Sequence, residues 1–169
     1  MSPETGGEDG PKIFSTTSLG LRKKRIAMSL TFECSESAST ADLAVVYAGL
    51  DQYNFAEPEI HRVRPLGVFA RDASTKVKGG AVGRTWGQCC ELQQLWIAEE
   101  ARSQGIGNEM MSRFEKEAQR RGCLLIYLDT FSFQARPFYE KRGYSVAMET
   151  QGFTNGIVKY TMHKRLAAT

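Results

Sequence analysis

The sequence is short of histidine, with His61 and His163 as its only two, and its four cysteines (Cys34, Cys89, Cys90 and Cys123) form no C-x-x-C pair. Zinc sites draw on Cys and His at short spacing, so no metal centre is expected. Neighbouring residues of a strand face opposite ways, so Cys89 and Cys90 are badly placed to bridge each other, and four reduced thiols in a cytoplasmic protein are expected. Neither sign of charge dominates. Lys and Arg number 22 against 19 Asp and Glu, a formal +3, too small an excess to point to nucleic acid or an anionic membrane. No apolar run approaches the roughly 18 residues that a membrane span needs. The first 20 residues lack an apolar signal core and carry Glu4, Glu8 and Asp9, so neither a secretory leader nor a transit peptide is expected.

What remains is ordinary globular composition, 41% hydrophobic and 24% charged over 169 residues. That suits one domain with a core of its own. Residues 1–27, with their early glycines and acids and the basic run Arg22-Lys23-Lys24-Arg25, read as a flexible, solvated tail ahead of a single domain over 28–169.

From Met28 the pattern becomes regular. Ser29 to Cys34 alternates like a strand. Leu43, Val46, Tyr47 and Leu50 recur at helical spacing behind the cap candidates Ser37 to Thr40, which predicts a helix over about 40–53. Leu66 to Arg71 reads as a strand, Lys76 to Cys90 as a glycine-rich extended stretch, and Leu92 to Ile97 as another strand. Ala101 to Gly107 opens a long amphipathic helix with Ile106, Met110, Met111, Phe114 and Ala118 on one face and Gly122 just past its end. Cys123 to Leu128 is almost continuously apolar, as in a strand covered on both faces. A short helix over Arg136 to Arg142 has Pro137 in its first turn, and Tyr144 to Met148 and Ile157 to His163 close the domain as strands. There is no internal repeat.

The sharpest local feature is Arg102-Ser-Gln-Gly105-Ile-Gly107 between a strand and a helix. The first N–H groups of a helix lack backbone acceptors and lie at the positive end of its dipole, so this turn suits an anion. Gly105 and Gly107 carry no Cβ and would let a phosphate approach the backbone, with Arg102 neutralising part of its charge. The same glycines also fit a helix start that merely packs. The run lacks the Lys-Ser or Lys-Thr of a P-loop, and Met110 stands where the dinucleotide fingerprint needs its third glycine.

Taken with Leu124 to Leu128 and the run Ala135-Arg-Pro-Phe138-Tyr139-Glu-Lys-Arg-Gly143-Tyr144, that turn resembles the GNAT superfamily of N-acetyltransferases over roughly residues 82–148. The resemblance implies a mixed α/β fold: a largely antiparallel central sheet, one splayed parallel strand pair and helices on both faces. It implies acetyl-CoA as co-substrate and no metal. The pantetheine arm would lie between the diverging strands, pairing with the backbone of Leu95, Trp96 and Ile97. The diphosphate would fall on Arg102, Ser103, Gln104, Gly105, Ile106 and Gly107, with Asn108 near by and Phe138 and Tyr139 beyond. Ser132 stands where the family often has Asn, so it is a coenzyme contact by position and a turn residue by type. Tyr139 matches the usual general acid. Glu91 matches the base of some histone acetyltransferases, and Asp129 is a second base or a binder of cationic substrate.

The implied reaction is direct acetyl transfer in a ternary complex to the primary amine of a small molecule. The alternatives are acetylation of a protein lysine or N-terminus, and a non-catalytic acyl-CoA-binding module. Neither nucleic acid nor membrane is an expected partner, and the family's habit admits a homodimer.

Overall fold

The structure is a computed structural model describing residues 29–58 and 62–168. The tail expected over residues 1–27 lies outside the described residues.

Helix α1 (Thr40–Asn54) starts where the sequence places it, capped by Ser39, whose hydroxyl accepts the Asp42 amide at 3.0 Å. The glycine-rich stretch then divides. Gly87 takes a φ of 52°, as a two-residue hairpin turn requires, and separates β2 (Val77–Trp86) from β3 (Cys89–Ile97), where the sequence suggested one extended run to Cys90. With β1 (Arg64–Arg71), β4 (Leu125–Phe131), β5 (Ser145–Thr150) and β6 (Lys159–Arg165), these make a six-stranded sheet in the order β1-β2-β3-β4-β6-β5. Only β3 and β4 pair in parallel; every other neighbour is antiparallel. This is the mixed α/β architecture expected from the sequence.

One expected strand does not form. Residues 29–34 carry no ladder, and Phe32 is 93% exposed. Alternation marks a segment that could line a sheet, but a strand exists only where its N–H and C=O groups find a partner.

Helix α2 (Ile106–Arg120) crosses β1, β2 and β3 on one face of the sheet. Its stripe of Met110, Met111, Phe114 and Ala118 is fully buried against Leu66, Ala81, Cys90, Leu92, Ile126, Leu128 and Met162. Burying an apolar side chain of this size stabilises by roughly 1.5–3 kcal/mol, so this stripe is the main element of the core. The short helix α3 (Arg136–Lys141) joins the same core through Tyr139. Helix α1, by contrast, contributes no buried residue, and Val46, Tyr47 and Leu50 are all more than half exposed.

A buried ionic brace ties these parts together. The Glu115 carboxylate on α2 accepts from Arg142 Nε at 3.2 Å, Lys164 Nζ at 2.8 Å and the Tyr144 hydroxyl at 3.3 Å. Arg142 also donates to the Asn108 backbone oxygen and Oδ1, both at 3.2 Å. The residue that ends α3 is thus pinned to the first turn of α2.

Candidate active site

The parallel pair is zipped for four residues only, from Cys89 opposite Leu125 to Leu92 opposite Leu128. Beyond them β3 runs on as Gln93–Ile97 and β4 as Asp129–Phe131 with no pairing between the two. The cause lies one strand away. Val82 faces Gln94 but Gly83 faces Leu92, so Gln93 is an extra residue on β3. Such a bulge bends its strand and raises the local twist. Gly83 makes it fit, because a Cβ there would collide with the Glu91 carbonyl and meet Phe114 at 3.0 Å.

The parted strands enclose a cleft of about 760 Å³. Leu92 to Ile97 form one wall and Leu128, Asp129 and Thr130 the other. Arg102, Ser103 and Gly107 close one end, and Gln134, Ala135, Phe138 and Tyr139 a further side. At the closed end the chain turns through Ser103 (φ 62°) and Gly105 (φ 79°) into α2. The first helical bond runs from Glu109 N–H to Gly105 carbonyl at 3.1 Å, so the amides before it are free of helical acceptors. Arg102 folds back, its Nε donating to the Ile97 carbonyl at 3.2 Å.

Residues 31–144 match the profile of the Acetyltransferase (GNAT) family. The chain belongs to the GNAT family and is an N-acetyltransferase. It is 32% identical over 111 residues to a blasticidin-S acetyltransferase of Streptomyces morookaense, an alignment covering 63% of this chain and 82% of that protein. The solved structure of an acetyltransferase from Bacillus cereus superposes with a TM-score of 0.69 at 26% identity, over 79% of this chain and 98% of the other. An aminoglycoside 6'-N-acetyltransferase solved with coenzyme A shares the fold at 20% identity, with a TM-score of 0.56 over 75% and 88% of the two chains.

Within this acetyltransferase the residues singled out from sequence do not all meet. Leu95, Trp96, Ile97, Arg102, Ser103, Gly107, Asp129, Phe138 and Tyr139 line the cleft. Gln104, Gly105 and Ile106 line a separate groove of about 490 Å³ against Val68, Phe69 and Ala70. Asn108 belongs to a third depression, shared with Phe138, Lys141, Arg142 and Lys164. The two glycines of the turn act differently. Gly105 supplies the left-handed backbone and has open space where a Cβ would be, whereas a Cβ on Gly107 would meet Ile97 Cδ1 at 3.0 Å and Phe138 at 3.5 Å. Gly107 is therefore a packing glycine.

Ser132 points elsewhere. Its N–H donates to the Val158 carbonyl at 2.8 Å and its hydroxyl accepts the Val158 amide at 3.2 Å, which is the turn role its residue type suggests. Glu91 is bound by Arg84 Nε at 2.6 Å, and it falls one position short of Leu92, the first cleft residue of β3.

Tyr139 is 6% exposed, packed edge-on against Phe138 and Tyr144. Burial disfavours the phenolate and pushes its pKa up to about 12. Asp129 is half exposed. Partial burial works against its charge, but hydrogen bonds from Lys159 Nζ at 2.8 Å and Thr161 Oγ1 at 2.6 Å outweigh it and hold the carboxyl below its ordinary range.

Sequence reasoning missed Gln93, Gln94, Thr130 and Gln134. Gln93 and Gln94 sit where the bulge breaks the alternation of β3, and the signal for it was Gly83 on the neighbouring strand. Gln134 Oε1 accepts the Phe131 amide at 2.9 Å and the Thr130 hydroxyl at 3.2 Å, fixing the loop that leads to Tyr139.

Among the described residues no helix is long and apolar enough to cross a membrane, and no three His, Cys, Asp or Glu side chains gather as metal ligands.

Proposed function

We propose that this acetyltransferase moves the acetyl group of acetyl-CoA onto the primary amine of a small molecule by direct attack in a ternary complex. The parting of β3 from β4 beside the Arg102–Gly107 turn carries this reading. Unpaired strand N–H and C=O groups are costly unless something pairs with them, and a pantetheine arm brings two amides to the edge formed by Leu95, Trp96 and Ile97. The diphosphate then reaches the free amides at the start of α2, with Arg102 beside it.

The amine nitrogen attacks the thioester carbonyl carbon, a C–N bond forms and the C–S bond breaks. The departing sulfur takes a proton from the Tyr139 hydroxyl, which is replenished by the proton that the new amide sheds. A buried phenol with a pKa of about 12 is fully protonated at neutral pH, the state that a general acid needs. An alkylamine arrives as an ammonium ion and first gives up a proton to bulk water at the open mouth of the cleft. Asp129, kept ionised at the cleft wall, suits attraction of that cation better than removal of its proton. Glu91 lies outside the cleft lining with Arg84 on its carboxylate. Holding amine and thioester together contributes on the order of 7–11 kcal/mol. The relative named for blasticidin S supports a small-molecule acceptor.

The test is a screen of coenzyme A thiol release from acetyl-CoA with small amines, antibiotics and peptides as acceptors. Release with small amines is expected. Calorimetric binding of acetyl-CoA with no release from any acceptor would reassign the chain to a coenzyme-binding module, and release with peptides alone would move the substrate class.

A further inference from the structure

Three phenylalanines gather beside the cleft, Phe133 and Phe153 exposed and Phe131 half-buried between them. Phe131, the last residue of β4, stacks on Phe133 with centroids 5.6 Å apart and 11° between planes, and meets Phe153 edge-on at 5.4 Å. Phe133 is 68% exposed and Phe153 42%. Open water is a poor place for a three-ring cluster, and such patches mark binding surfaces.

This cluster is built rather than incidental. Phe133 lies in the β4–α3 loop and Phe153 in the β5–β6 connection, and the Ser132–Val158 pair of hydrogen bonds stitches the two together. Gln134 holds the first loop by its bonds to Phe131 and Thr130. The second loop is shaped by Gly152, Asn155 and Gly156, all at positive φ.

The cluster also has a direction. Strand alternation puts Phe131 on the same sheet face as Asp129, about 7 Å further along β4, and Lys159, which donates to Asp129, is the cross-strand neighbour of Phe131. The cleft-lining Asp129 therefore leads directly to the rings. On the other wall Trp96 lines the cleft with 54% of its surface exposed.

From this we infer that the acceptor carries a planar, unsaturated ring a few bonds from its amine. The amine enters beside Asp129 while the ring lies on Phe131, Phe133 and Phe153. The inference rests on the amine-acetylation reading above and narrows it to a substrate class. Ser132, a coenzyme residue by family position, becomes here a positioning residue for the ring platform.

The experiment compares tryptamine with hexylamine, in the enzyme and in its Phe133→Ala and Phe153→Ala variants. Acceptor binding to the coenzyme A complex is read by calorimetry, and turnover with acetyl-CoA by thiol release. The expected ratio of tryptamine to hexylamine affinity and of their kcat/KM is about tenfold, falling toward one in either variant, with coenzyme affinity unchanged. A ratio near one in the unaltered protein, a ratio that both substitutions leave alone, or a tripeptide amide preferred over both amines would overturn the inference. Ring-selective binding without any thiol release would uphold the platform and sink the transfer reading, so the two fail separately.

Discussion

The cleft has one end made of backbone and another made of side chains. From Ile97 to Gly107 its features are amide groups, the packing glycine Gly107 and a helix terminus reached through the left-handed Gly105, all set by local chain geometry. At the other end they are side chains, Asp129 with its two partners among them, and beside that end lie three rings brought together by loops 20 residues apart in sequence. A backbone site can be recognised from a few letters because each letter fixes a torsion angle. A side-chain site depends on which loops meet, and that is decided by the whole fold. The contrast predicts that damage at the first end is felt by any acyl-coenzyme, while damage at the second depends on the acceptor.

The sharpest way to break this division is at the point where the ends meet. Tyr139→Phe should lower kcat by about 10²–10⁴-fold with coenzyme affinity intact. An unchanged single-turnover rate would remove Tyr139 from the acid role. The pH profile adds a sign. Because burial raises the phenol pKa to about 12, above the usual value near 10, the proton stays on through the range in which most proteins remain folded. No loss of kcat from Tyr139 is expected below about pH 11. The same shift contributes stability that is present below about pH 10 and is lost as the pH rises toward 12.

Next in size is Gly83→Ala. Its new methyl meets the Glu91 carbonyl and Phe114, and overpacking of this kind costs about 1–3 kcal/mol. A lower Tm with weakened coenzyme binding is expected, and a variant as stable and as tightly binding as the parent would show that the bulge does not depend on this glycine. Asp129→Asn should raise KM for cationic amines about 3–10-fold while leaving coenzyme affinity unchanged, since an exposed charge interaction is modest; equal effects on charged and neutral acceptors would refute the steering role. The smallest change is expected for Glu91→Gln, less than threefold in kcat/KM, because that carboxylate is already committed to Arg84. A hundredfold loss would restore it as the base.

Much of the sheet was legible because its determinants are local. The α2 stripe, the Gly105 turn and the apolar β4 announce themselves by period and residue type. The strand expected over 29–34 failed because pairing, unlike alternation, is not a property of one segment. The split at Gly87 was hidden in a run of glycines that all permit extension. Glu91 lined up with a family position yet lies where β3 is still zipped to β4, one residue short of the cleft and bound by Arg84 on the adjoining strand. Ser132 was assigned by position to the coenzyme and by chemistry to a turn, and the bonds it makes are those of the turn.

The bulge opposite Gly83 has a kinetic corollary. Because the slot between β3 and β4 is held ajar by covalent sequence, a carrier molecule has no sheet to unzip on arrival. Capture should therefore proceed in one step at a rate set by encounter rather than by breathing of the protein, and the energy otherwise spent on prying strands apart stays available for grip.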